Sequence, residues 1–154
     1  MFNIVLIEPE IPNNTGAIGR LCVNTDTTLH LIKPLGFDIS DKAVRRAGLD
    51  YWNKLDLHVY ENFEEFLSKH GQNSERFFIA TTKTENLYFD ATFQNGDYIL
   101  FGSETKGVAE DIMKQFKQIT IPMGRQGRSL NLAISAGILL YDAISKNYND
   151  FKEL

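Results

Sequence analysis

The chain has 154 residues, of which 43% are hydrophobic and 23% charged, and a formal net charge of −4. That length suits one domain spanning 1–154, and the composition excludes disorder, collagen-like repeats and low-complexity sequence. No apolar run approaches the ~18–20 residues of a membrane helix, and Glu8 and Glu10 follow the first apolar run where a leader would carry a cleavage site, so a soluble, untargeted, cytoplasmic chain is expected.

A single cysteine, Cys22, excludes an intramolecular disulfide, and His30, His58 and His70 have no metal-ligand spacing, so no metal is expected. From the N-terminus, short runs rich in Val, Ile, Leu and Phe at 2–7, 28–32, 57–60, 77–82, 98–102 and 118–122 read as strands. Several lack polar alternation, the mark of strands covered on both faces. Helical segments are expected at 15–25, 40–49, 61–70, 107–117 and 130–147, the third opened by Asn62 and the fourth by Gly107. The alternation predicts an α/β fold, a parallel sheet flanked by helices. The last helix is apolar on every face, so it either threads into the core or is covered by a second subunit. The motif ENLYF at 85–89 is native sequence, since Asp90 follows and the segment lies mid-chain.

Polar and glycine residues gather after three strand ends, where open parallel sheets bind ligands. The first loop, 8–20, carries two prolines and an Asn pair; Asn14 or Thr15 is placed to cap a helix opened by Gly16, whose free N–H groups suit an anion, with Arg20 about one turn in. A simple capped turn is the alternative. The second, 101–107, has glycines at both ends, and its Glu104 either faces solvent or orients a substrate hydroxyl. The third, 121–132, offers Ile121 and Met123 as an apolar wall and places Ser129 and Asn131 at the start of the last helix. None of the three is a P-loop or a GxGxxG fingerprint, which argues against a dinucleotide-dependent oxidoreductase. Against the negative total, Lys42, Arg45 and Arg46 form a basic cluster, or a solvated helix face, and Lys106, Arg125 and Arg128 come from two of the loops.

In order, NNTGAIGR, ILFGSETKG and IPMGRQGRSLNLAISAG resemble the three motifs of the SPOUT class of RNA 2′-O-ribose methyltransferases. Within that class, NIVLIEPEIPNNTGAIGRLC and DKAVRRAGLDY at 41–51 are similar to the small bacterial enzymes acting on cytidine or uridine 34 of tRNA. The resemblance implies a C-terminal trefoil knot, S-adenosyl-L-methionine as cofactor, a tRNA anticodon stem-loop as partner and leucine tRNAs as substrates; the apolar helix 130–147, the short chain and its negative charge lead us to expect a homodimer in which Arg20 reaches toward the partner's cofactor pocket. It places cofactor contacts on Ala80, Thr81, Gly102, Ile121, Met123, Ser129 and Leu130. Catalytic positions fall on Arg20, Asn14, Glu104, Ser129 and Asn131, and RNA contacts on Arg20, Lys42, Arg45, Arg46, Lys106, Arg125 and Arg128. The sequence departs from the pattern at Asn13, where some relatives carry proline, and in the Gly-Arg-Gln-Gly loop at 124–127. Competing expectations are methylation of another tRNA position or of rRNA, and an RNA-binding module without turnover.

Overall fold

Five runs rich in β-branched, aliphatic and aromatic residues form strands β1 (Asn3–Ile7), β2 (Thr28–Ile32), β3 (Leu57–Tyr60), β4 (Phe77–Ala80) and β5 (Tyr98–Phe101), and the short, largely polar segment Lys117–Ile119 adds the edge strand β6. All pair in parallel, in the order β3-β2-β1-β5-β4-β6. Helices α1 (Pro12–Asn24), α2 (Phe63–His70), α3 (Glu110–Met113), α4 (Leu132–Lys146) and α5 (Tyr148–Phe151) and a 3₁₀ turn at Leu49–Lys54 complete the elements used below. This computed structural model describes the chain apart from residues 41, 43–45, 47 and 48, so most of the helix expected at 40–49 lies outside the described residues.

Alternation along the strands sorts the core into two layers. Ile4, Leu6, Leu29, Leu31, Ile99 and Phe101 face Ile18 and Cys22 of α1 and Leu139 and Leu140 of α4, whereas Val5, Ile7, Ile32, Phe77, Ile79 and Leu100 face Phe66 of α2. Burial pushes the Cys22 thiol far up, so it packs as an inert apolar group. Truncating a fully buried residue such as Leu139 to Ala costs about 2–5 kcal/mol.

The α2-facing layer also contains a closed polar chain. Asn3 Nδ2 donates to the Gly96 carbonyl at 3.1 Å, which turns its Oδ1 toward His30 Nε2 at 2.9 Å. His30 Nδ1 lies 2.8 Å from the Tyr60 hydroxyl, which lies 2.9 Å from His70 Nε2, and His70 Nδ1 lies 3.1 Å from the Tyr98 hydroxyl. With both histidines neutral, every ring nitrogen finds a complementary partner: each Nε2–H donates and each Nδ1 accepts from a tyrosine. Burial first, then the neighbouring His70 and His58, pushes His30 down to about 3, and burial likewise lowers His70 and raises Tyr60 to about 12.

Several boundaries differ from the sequence expectation. Helix α1 starts at Pro12 rather than 15, because proline fits the first turn, where its missing N–H is not needed. Helix α3 is a single turn instead of the run 107–117: Gly107 has φ +67, and the return to β6 at Lys117 leaves little length. Strand β6 ends at Ile119, freeing Ile121 to leave the sheet. Asn62 does cap α2, accepting the Glu65 N–H at 2.8 Å. Helix α4 buries Leu132, Ala136, Leu139, Leu140, Ala143 and Ile144, while Ile134 at 56% and Tyr141 at 50% exposure leave its other face uncovered within one chain. No helix among the described residues is long and apolar enough to cross a membrane.

Candidate functional site

Strand order reverses between β1 and β5, and the loops leaving these two strands meet there. Ile11, the residue before α1, has no side chain able to cap it; Glu104 of the β5 loop does so from 93 residues away. Its Oε1 accepts the Glu10 N–H at 2.9 Å, and its Oε2 accepts the Ile11 N–H at 2.8 Å and Asn14 Nδ2 at 3.2 Å. The helix terminus expected to take an anion or to be capped by Asn14 or Thr15 is therefore filled by the chain's own carboxylate, which also suits the helix dipole. In return, Glu10 Oε1 accepts the Thr105 hydroxyl at 2.6 Å, a bond that holds the Glu10 carboxyl below its usual range.

The third loop joins through Asn14. A carboxylate only accepts, so Glu104 fixes Asn14 with its amide nitrogen toward it and its Oδ1 outward. That oxygen accepts Asn131 Nδ2 at 3.1 Å, and Asn131 Oδ1 caps α4 by accepting the N–H groups of Ala133 and Ile134 at 2.9 and 3.2 Å. One carboxylate thus sets the orientation of two amides and ties together the start of α1, the β5 loop and the start of α4.

These loops wall a cavity of about 650 Å³ over the carboxyl ends of β5, β4 and β6. From the β4 end come Ala80 and Thr81, from β5 Gly102 and Glu104, and from the last loop Ile121, Met123, Ser129 and Leu130, with Asn14 and Asn131 at the tied corner. The structure therefore gathers in one cavity all seven positions expected to contact cofactor and four of the five expected to be catalytic. Gly102 is required by space, since a Cβ there would lie 2.0 Å from the Gly107 carbonyl carbon. Sequence reasoning missed Lys83, Thr105 and Thr120, which also line the cavity; their signal was position, within four residues of a strand's carboxyl end.

Arg20 is the exception. Helix α1 begins three residues earlier than expected, which puts Arg20 about two turns in, and six residues beyond Asn14 means about 9 Å along the axis and about 120° around it. It is exposed, does not line its own chain's cavity, and its Cζ stands 5.4 Å from the centroid of the Tyr51 ring. Lys106 lines the cavity; Lys42, Arg46, Arg125 and Arg128 are exposed, and Arg45 lies outside the described residues. Among the described residues no group of three or more His, Cys, Asp or Glu side chains is placed to hold a metal ion.

These features define an open parallel α/β protein with a cavity at the carboxyl edge of its sheet, where such folds take their ligands. The family model described as the SpoU rRNA Methylase family matches residues 1–141, and the chain belongs to that family, in agreement with the resemblance carried by the three loops. It is 48% identical over 146 residues to a tRNA (cytidine(34)-2'-O)-methyltransferase of Methylovorus glucosotrophus, covering 93% of this chain and 94% of the relative. A Yersinia pestis protein of the same name is 44% identical over 149 residues, covering 93% and 92%. A solved structure described as "Structural insights into the 2-OH methylation of C/U34 on tRNA" superposes with a TM-score of 0.93 at 39% identity, covering 97% of each chain.

Proposed function

We propose that this chain, as one cytoplasmic domain, methylates the ribose 2′-oxygen of the wobble nucleotide of tRNA, position 34, cytidine or a modified uridine, with leucine tRNAs as substrates and S-adenosyl-L-methionine as methyl donor. The observation that carries the reading is the Glu104–Asn14–Asn131 chain, which holds three separate loops around one cavity; relatives of 44–48% identity carry the same activity in their names. The cavity fits the donor. Its volume lies within the ~300–1,000 Å³ of small-molecule sites, Ile121, Met123 and Leu130 supply apolar wall, and the side-chain-free Gly102 lets backbone approach closely.

When bound, the cofactor supplies a methyl group on a sulfonium, the electrophile of an in-line displacement. The chain's own residues align the 2′-hydroxyl and stabilise the oxyanion as it forms. Arg20 suits the second of these roles, because a guanidinium stays charged at any working pH. It holds the neighbouring phosphate and the developing alkoxide, while the proton leaves through that phosphate or water. Because Arg20 stands outside its own cavity, the reading includes a homodimer in which it enters the partner's, supported by the exposed Ile134 and Tyr141 on α4 and by the packing of α1 on that helix. It also includes a trefoil knot in the C-terminal part, in keeping with membership of the SpoU methylase family. Pairing doubles the basic surface that a chain of net charge −4 offers to an anticodon stem-loop.

Incubating the protein with labelled donor and tRNA from cells lacking the activity, then mapping the label by mass spectrometry, tests the reading: one label per molecule on the 2′-oxygen of nucleotide 34 is expected. The family's description names rRNA, which favours ribosomal substrate as the second reading; label on rRNA with none on tRNA establishes it.

A further inference from the structure

The segment 41–51 resembles the family closely, yet the cavity accounts for none of it. Its last residue, Tyr51, opens onto α1. Gly19 faces the same turn: a Cβ there would lie 2.8 Å from Trp52 Cζ3 and 3.2 Å from Leu55 Cδ2, so the Leu49–Lys54 turn is seated on α1 by a contact that only glycine permits. Residues 19 and 20 of the helix thus meet residues 52 and 51 of the turn, and the Tyr51 ring comes to the Arg20 guanidinium at 5.4 Å.

We propose that Tyr51 is a positioning residue for Arg20, its ring face holding the guanidinium in the orientation that delivers it to the reacting hydroxyl. The proposal rests on the reading of Arg20 as the oxyanion-stabilising group. Its physical basis is the difference between two ways of holding an arginine. Arg76 is pinned by the buried Asp97, with Nε donating at 2.7 Å and Nη2 donating both to that carboxylate and, at 3.0 Å, to the Thr92 carbonyl. The pair raises Arg76 further above its ordinary value and occupies its Nε and Nη2 donors, while the Phe78 ring, 5.3 Å from its Cζ, adds a second restraint. A ring face attracts a cation through its quadrupole without neutralising it and without accepting an in-plane N–H bond. A ring-face contact of this kind restrains Arg20 and uses none of its N–H donors, which suit phosphate and alkoxide. An exposed arginine left free would explore many rotamers and lose the alignment that the transfer requires.

The test is steady-state kinetics on saturating tRNA, with cofactor affinity measured by calorimetry, for Tyr51→Phe, Tyr51→Leu and a series in which position 51 carries phenylalanine with increasing ring fluorination. Tyr51→Phe should stay within about twofold of the parent and Tyr51→Leu should fall about 3- to 30-fold in kcat, with tRNA KM and cofactor Kd within about twofold. Fluorination withdraws charge from the ring face at nearly constant shape, so kcat should fall stepwise; this series decides the matter even if Tyr51→Leu does not fold. Equal rates across it would overturn the inference, as would a loss confined to tRNA KM, which would make the ring an RNA contact. Arg20→Ala separates the two claims. An inactive Arg20→Ala beside a fully active Tyr51→Leu sinks only the positioning role, and an active Arg20→Ala sinks both.

Discussion

Two hydrogen-bond chains of similar size run through this molecule, one within the α2-facing layer of the sheet and one at its carboxyl edge. The first, from Asn3 through His30, Tyr60 and His70 to Tyr98, closes on protein groups at each ring nitrogen and stays neutral. The second starts from a carboxylate, spends it on the N-terminus of α1, and ends on the N-terminus of α4, with a cavity along its side. Both fix the orientation of the hydrogen-bonding side chains they join. Only the second does so where loops from three strand ends leave room for another molecule. A satisfied polar network therefore points to function when it shapes a space and to stability when it fills one.

Changes at the two chains should accordingly be read out by different measurements. The largest effect belongs to Arg20, which the proposed dimer brings to the partner's cavity: Arg20→Ala should lower kcat about 10²- to 10³-fold, the loss of one oxyanion-stabilising donor set, with cofactor Kd and Tm nearly unchanged because the side chain is exposed and outside its own cavity. Next comes Glu104→Gln. An amide nitrogen placed against the N–H donors of Glu10, Ile11 or Asn14 costs about 1–3 kcal/mol, and since the cavity wall is set by those bonds, cofactor affinity and kcat should fall together. Calorimetry showing a parent-like Kd would separate the carboxylate from the cavity.

The histidine chain should respond to acid and leave chemistry alone. His30 in the folded chain titrates at about 3, below the ~6.5 of an unfolded histidine, so the unfolded state binds more protons in between. Its contribution is complete above about pH 6.5 and is lost as pH falls toward 3, by up to about 1.4 kcal/mol per unit, with His70 adding in the same direction. Thermal melts from pH 7 to 4 should fall accordingly, and more shallowly in a variant lacking His30. The smallest effect belongs to the surface: Arg46→Ala, which removes an exposed cation, should raise tRNA KM a few-fold and reduce the salt slope of binding by about one, with kcat unchanged.

Much of the carboxyl-edge site was legible in the sequence because its parts follow strands. Apolar runs marked β1 and β5, the segment 118–122 overlapped β6, and Gly102, Met123 and, at the start of the last helix, Asn131 proved to share one cavity. What joins those parts was not legible. Glu104 caps a helix 93 residues earlier, and nothing local distinguishes such a carboxylate from a solvated one. The same holds for His30 and His58, which have no ligand spacing in sequence yet sit opposite each other because β2 and β3 pair in that register, with His70 brought in from the end of α2. With α1 opened by Gly16, Arg20 lies about one turn in; with Pro12 as the first helical residue it lies about two turns in, and its guanidinium stands over the Tyr51 ring.

The central claim is that the cavity of one chain is completed by Arg20 of a second. Mixing two inactive variants tests it directly: Arg20→Ala, which keeps its cavity, and Thr81→Arg, which fills the cavity from the β4 end and keeps Arg20. With random exchange of subunits, half the dimers are mixed and each holds one complete site, so about one quarter of parent activity should return on mixing. Activity that stays at the level of the separate variants, with mixed dimers verified by mass, would contradict the claim and return Arg20 to its own chain's cavity.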